Sequence, residues 1–255
     1  MKKLKIGVFG ISGCAGCLLS FIYEKYFKEI TRLVELKAFP LIKENNYKGD
    51  FDYIFIEGTV CFDEDILTLN ELRKRAKYIV ALGSCACFGG VPSIKNFLDE
   101  EKTMRFVYPV YNYLKVEKPT PINQHIKVDY YIPQCPPNKE EILEFIKGIA
   151  IGKEFKSYKD SVCFECRKRG NFCILEKKEI CLGPITNGGC DALCPTNKTS
   201  CYGCRGVCRD ANFSVFLDML KEMGYVQKTV EEKMQTFAGL KFKEAEEKVS
   251  KWLEK

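Results

Sequence analysis

Histidine is almost missing from this chain. Its 255 residues include a single imidazole, His125, so the commonest nitrogen ligand for metals is in short supply. No run of about 18 apolar residues occurs, which argues against a membrane-spanning helix. The opening MKKLKIGVFG leads straight into a strand-like run. It lacks the separate charged, apolar and small-residue regions of an export signal, and it has no twin-arginine pair. A cytoplasmic protein is therefore expected. Internal repeats and low-complexity tracts are also missing.

Cysteine is abundant by contrast, with 15 residues, nine of them between positions 163 and 208. They read Cys163-x2-Cys166-x6-Cys173-x7-Cys181-x8-Cys190-x3-Cys194-x6-Cys201-x2-Cys204-x3-Cys208. So many thiols without imidazole point to soft-metal chemistry, most simply to iron–sulfur clusters. Disulfides fit poorly with a reducing compartment and an odd cysteine count, although a hyperthermophile would be an exception. A zinc ribbon from Cys163, Cys166, Cys201 and Cys204 is a further alternative that strands the other five. The spacing also departs from the ferredoxin run C-x2-C-x2-C-x3-C-P.

The formal charge of +6 could suggest nucleic acid, but the basic residues are scattered rather than gathered in one arm. Three oxidised four-thiolate cubanes would bring about −6 and cancel it. No nucleic-acid partner is expected.

Hydrophobic residues make up 46% of the chain, enough for a real core. Short apolar runs rich in Ile, Val, Phe and Tyr at 5–10, 33–39, 53–60, 78–83 and 128–132 read as buried parallel strands. Helical patterns lie between them at 17–29, 63–76 and 138–150. This alternation predicts a flavodoxin-like, doubly wound α/β domain. The segment 163–208 has almost no periodicity, so metal ligation would have to supply its folding energy. Helices are expected at 213–225 and 229–254. The second is strongly charged and reads as a solvated surface helix, with partner docking as the alternative.

The six upstream cysteines are informative by position. Cys14 and Cys17 follow the first strand in GISGCAGCLLS, Cys85 follows the fourth in ALGSCACFGG, and Cys135 follows the fifth in YIPQCPPN. Loops leaving the carboxyl ends of an open α/β sheet converge on one edge, where ligands bind. Three loops could thus bring four thiolates to one point. Cys61, after the third strand, and Cys87 are possible substitutes. A phosphate-binding reading of GISGCAG is weaker, because the Lys-Ser/Thr ending and a full G-x-G-x-x-G are both missing. His125 lies in a polar loop away from the cysteines and reads as a surface residue.

Cys-x2-Cys, the pair Glu57-Gly58, G-S-C-A-x-x-G-G over 83–90 and C-P-P over 135–137, in this order, resemble the small subunit of nickel–iron hydrogenases. The related cluster subunit of respiratory complex I shares most of these features. The resemblance implies that Cys14, Cys17, Cys85 and Cys135 ligate a proximal 4Fe-4S cluster beside a nickel–iron site carried by a separate large subunit. The tail resembles cytoplasmic hydrogenases of the archaeal sulfhydrogenase, deazaflavin-reducing and viologen-reducing groups.

That likeness implies a distal cluster on Cys163, Cys166, Cys173 and Cys181, with Cys163 where periplasmic enzymes carry histidine. It implies a medial cluster on Cys190, Cys194, Cys201 and Cys204, which makes three 4Fe-4S clusters in all. Cys208 would be spare, or would replace one ligand. Gly16 and Gly90 match the positions of two extra cysteines in oxygen-tolerant enzymes, so oxygen sensitivity is implied. The glutamate that usually follows the second cysteine is missing from Cys17-Leu-Leu-Ser, so proton routes through it do not carry over.

Three units are expected: 1–155 with the proximal cluster, 156–210 with the other two, and a helical extension over 211–255. The implied role is electron transfer between the large subunit and a downstream flavin or iron–sulfur partner, with no catalytic residue in this chain. The alternative is a non-hydrogenase electron carrier in a complex-I-like or heterodisulfide-reductase-type assembly.

Overall fold

A computed structural model describes residues 3–108, 110 and 117–253. The expected ends of the last helix and of the third unit therefore extend beyond the described residues. Five parallel strands form one sheet in the order β2-β1-β3-β4-β5: β1 (Lys5–Gly10), β2 (Glu35–Ala38), β3 (Phe51–Glu57), β4 (Ala76–Leu82) and β5 (Tyr130–Ile132). The order reverses beside β1, and such a switch point opens a crevice at the carboxyl edge.

Side-chain alternation in the strands builds a core on each face of the sheet. Tyr53 and Phe55 of β3 pack with Phe21, Ile30, Phe145 and Ile146. Ile54 and Ile56 pack oppositely with Leu69, Leu72 and Ala86. The helices supplying these residues are α1 (Gly16–Phe21), α2 (Glu24–Leu33), α3 (Asp63–Arg75), α4 (Gly83–Phe88) and, after α5 (Glu100–Val107), α6 (Lys139–Ala150). Asp63, Glu64 and Asp65 open α3, and Arg73, Lys74 and Arg75 close it, which suits the helix dipole. The doubly wound expectation is met.

Three local expectations differ. The helix expected at 17–29 is two helices, broken where Tyr23 is extended, and its continuation occupies the start of the strand expected at 33–39. The stretch 83–88 forms α4 rather than a loop. The strand expected at 53–60 stops at Glu57, because Gly58 turns at φ +99 and Val60 bridges to Thr120 instead.

The cysteine-rich segment carries α7 (Val162–Lys168) and α8 (Leu193–Thr196) and is followed by α9 (Phe213–Glu222) and α10 (Gln227–Leu253). Helix α10 is not simply a solvated surface helix. Val230, Met234, Ala238 and Phe242, four residues apart, are buried against Ile180, Leu182, Ile185 and α9. Charged residues fill its other face and mask that stripe. Apolar packing therefore contributes to the order of the tail, besides any metal. Among the described residues, no helix is long and apolar enough to cross a membrane.

Candidate metal centres

The loop after β1 is pinned from below. Ser12 donates to Asp65 through N–H (3.2 Å) and hydroxyl (2.8 Å), and Thr59 N–H donates to the Ser12 carbonyl (2.8 Å). This holds Cys14, which is exposed, and Cys17, which is buried at the start of α1. Cys85 sits in α4, where the Val91 N–H favours its thiolate against the effect of burial. Cys135, also exposed, lies beyond β5, where the Gln134 carbonyl accepts Ser84 N–H at 3.1 Å.

The four upstream thiols are electrostatic neighbours. Burial pushes Cys17 well above the ordinary thiol range, and Glu57, Cys85, Cys135 and Cys14 push it further. Cys85 is pushed up to about 12 by burial and then by Cys135. Cys135 is raised by burial, Cys14 and Glu57. Glu57 is itself buried, which raises its carboxyl, and it accepts Ala15 N–H at 3.2 Å.

Two glycines make room for the sulfurs. A Cβ on Gly83 would run into Cys17 Sγ, and one on Gly90 would run into Cys85 Sγ and Cys85 Cα. Both glycines have positive φ, +86 and +57, which side chains disfavour.

The tail cysteines form two overlapping sets of electrostatic neighbours. Cys163 and Cys166 share one face of α7. Cys163 is pushed up to about 12 by burial and then by Cys181, Cys166 and Cys173. In the other group, Cys204 is pushed up to about 12 by burial, with Cys190 and Cys194 adding to it. Cys190 is raised by burial and then by Glu165, whose carboxylate accepts Gly189 N–H (2.7 Å) and Ala192 N–H (3.2 Å). Cys201 is raised by burial and then by Cys181 and Cys204, and Cys194 by burial and Cys181, so Cys181 neighbours both sets.

Polar contacts link the groups. The Cys135 N–H favours the Cys204 thiolate, against the effect of burial. Cys201 N–H donates to Cys181 Sγ at 3.2 Å. The Ser84 hydroxyl donates to the Cys204 carbonyl at 2.5 Å. The group around Cys190 and Cys204 is therefore tied to the upstream group on one side and to the group around Cys163 and Cys181 on the other.

The remaining residues differ in their settings. Cys87 is in the sheet core with its thiol 3.6 Å from the Ala81 carbonyl. Cys61 is partly buried beside Ser12 and Asp65. Cys208 donates toward the Pro184 carbonyl at 3.5 Å and influences Cys163. His125 is partly exposed and pairs with Thr120 at 2.8 Å. Arg205, Glu141, Glu165 and Lys233 contact these groups but were not singled out in the sequence. Only Arg205 had a local clue, its place in Cys204-Arg-Gly.

These residues fit iron–sulfur clusters. Buried thiols that raise one another's pKa can all ionise only with cationic charge among them. N–H donors aimed at sulfur are the usual complement of such clusters. A single tetrahedral ion would draw its thiolates to about 3.8 Å from one another. Among the described residues, no group of three or more His, Cys, Asp or Glu side chains is arranged to hold a metal ion.

Residues 14–149 match the family model of the 20 kDa subunit of NADH–ubiquinone oxidoreductase. Sulfhydrogenase 2 subunit delta of Pyrococcus furiosus is 35% identical, over 92% of this chain and 99% of its own length. A vhu subunit of the F420-non-reducing hydrogenase from Methanocaldococcus jannaschii is 30% identical, over 80% of this chain and 82% of its own. An NAD+-reducing nickel–iron hydrogenase structure in the H2-reduced state superposes with a TM-score of 0.52 at 30% identity, covering 60% of this chain and 94% of that one.

Proposed function

Because this chain belongs to the hydrogenase small-subunit family, which shares its fold model with the 20 kDa subunit of NADH–ubiquinone oxidoreductase, we propose a three-cluster electron relay built on the residues above. The chain is the iron–sulfur electron-transfer small subunit of a nickel–iron hydrogenase, an oxidoreductase acting on hydrogen, and pairs with a large subunit. In the proposed arrangement Cys14, Cys17, Cys85 and Cys135 hold the proximal 4Fe-4S cluster. Cys190, Cys194, Cys201 and Cys204 hold the medial one, and Cys163, Cys166, Cys173 and Cys181 the distal one. Cys61, Cys87 and Cys208 are left out.

One observation supports this reading: two hydrogen bonds, Ser84 hydroxyl to the Cys204 carbonyl and Cys201 N–H to Cys181 Sγ, run in series from the upstream cysteines through the tail. When bound, such clusters supply one-electron storage at each position. The protein's own part is to fix the spacing, exclude water around Cys17, Cys181 and Cys201, and donate hydrogen bonds to sulfur. The exposed sulfurs Cys14 and Cys135 open the proximal edge toward the large subunit. Exposed Cys173 opens the other end toward a downstream flavin or iron–sulfur partner. Gly16 and Gly90 lie against Cys14 and Cys85, supporting an ordinary four-cysteine proximal site and hence oxygen sensitivity. The proposal extends to three units, 1–155, 156–210 and 211–255, and to a cytoplasmic, archaeal-type complex.

The test is anaerobic purification of the complex through a tag on this chain, with iron counting, paramagnetic resonance and hydrogen-dependent viologen reduction. About twelve iron atoms for each copy of this chain, beyond the iron of the partner subunits, and active dye reduction are expected. Serine at any of the twelve assigned cysteines should remove one cluster signal, whereas Cys61→Ser, Cys87→Ala and Cys208→Ser should keep all three. About four iron atoms, or cluster loss in Cys208→Ser, would overturn the assignment.

A further inference from the structure

Helix α10 buries its apolar stripe on the tail, yet one lysine leaves that helix for a polar niche. Lys233 Nζ donates to the Ile180 carbonyl and to the Ser200 hydroxyl, both at 2.6 Å, and lies 4.4 Å from the Tyr202 ring centre. Ile180 and Ser200 immediately precede Cys181 and Cys201, one from each tail group. The two segments are already paired, since Leu182 N–H donates to the Cys201 carbonyl at 3.0 Å and Cys201 N–H donates to Cys181 Sγ. The ammonium therefore braces the junction between the groups.

Neutral acceptors poorly repay the partial burial of an ammonium. Burial alone lowers the Lys233 pKa, and the charges that oppose this are Cys181, Cys201 and Glu179. Two of those three are proposed cluster ligands, and a cluster bound there would carry one more negative charge after one-electron reduction.

Building on the three-cluster reading, we propose that Lys233 is a positioning residue of the relay. Its charge stabilises the reduced state of both tail sites while its hydrogen bonds keep Cys181 and Cys201 in register. The C-terminal helix thus reaches into the redox path as well as packing beside it.

The experiment is a paramagnetic-resonance redox titration of the complete anaerobic complex with Lys233→Met, Lys233→Gln and Lys233→Arg. In Lys233→Met, with iron content kept, both tail-site midpoint potentials should fall while the proximal potential stays put. Lys233→Arg should restore them. Unchanged tail potentials at full iron content would overturn the proposal. If Lys233→Met loses tail iron, Lys233→Gln decides, because it keeps donors to the same acceptors without the charge. Lower potentials there support the idea; unchanged potentials, or iron loss there too, reduce Lys233 to a structural brace and overturn it. A wild-type complex without three clusters would instead sink the underlying relay, and the iron count separates the two failures.

Discussion

Arg205 and Glu141 form a bidentate ion pair in the interior, Nη1 to Oε2 at 2.7 Å and Nη2 to Oε1 at 2.8 Å, with side chains only 1% and 4% exposed. Glu141 belongs to α6 of the sheet domain, and Arg205 directly follows Cys204 in the tail. The same guanidinium donates to Gln134 Oε1 at 3.2 Å and to the Pro133 and Gly188 carbonyls. One side chain thereby holds the loop bearing Cys135 against the segment bearing Cys204. Its charge also favours the thiolates of Cys190 and Cys204.

Breaking this pair should cost far more than deleting it. Arg205→Met strands a buried carboxylate and should destabilise the complex by about 3–5 kcal/mol. Replacing both partners, Arg205→Met with Glu141→Leu, removes the stranded charge and should recover much of the loss. Anaerobic thermal unfolding checks this: the double variant should melt above the single Arg205 variant. An equal or lower melting point would show that the hydrogen bonds to Gln134, Pro133 and Gly188 matter more than the charge.

What could be read in the sequence was local. Strands β1, β3 and β4 are built on short apolar runs, so their carboxyl ends, and with them Cys14, Cys17 and Cys85, fall at one sheet edge by simple topology. The Arg205–Glu141 pair spans 64 residues and Lys233 reaches 53 residues back to Ile180, so no window along the chain contains either. Helix α4 was hidden because Gly83-Ser84-Cys85-Ala86 looks like a small-residue loop, and it is held by burial of Ser84, Ala86 and Cys87 rather than by propensity. In α10 the dense charges on the outer face concealed the stripe from Val230 to Phe242.

Gly90 should be intolerant of a single added methyl group. In Gly90→Ala the new Cβ would collide with Cys85 Sγ and come within 2.7 Å of Cys85 Cα, on a backbone at φ +57. Loss of the proximal cluster, about four iron atoms, is expected with the tail clusters kept and hydrogen-dependent dye reduction gone. Gly152→Ala is the control for a positive φ alone: it has φ +74 but nothing within 4 Å of the added atom. It should cost only about 1–2 kcal/mol of backbone strain and keep every cluster. Similar iron loss in both variants would mean that backbone strain, not contact with sulfur, sets the requirement for glycine.

Phe242 tests whether α10 guards the tail clusters. Its ring is fully buried and lies against Gly203, where an added Cβ would stand 2.6 Å from it, and Gly203 sits between Cys201 and Cys204. Phe242→Ala should cost about 3–5 kcal/mol of local packing. Chelators reach buried iron when the surrounding structure opens, so a less stable strap raises the open population. Each 1.4 kcal/mol is about tenfold in that population, so tail iron should bleach about a hundredfold faster or more. Proximal iron, held by β1, β4 and β5, should bleach at its original rate. The measurement is the two-phase loss of visible absorbance under an iron chelator. Equal acceleration of both phases would mean that α10 stabilises the whole subunit and has no particular hold on the tail.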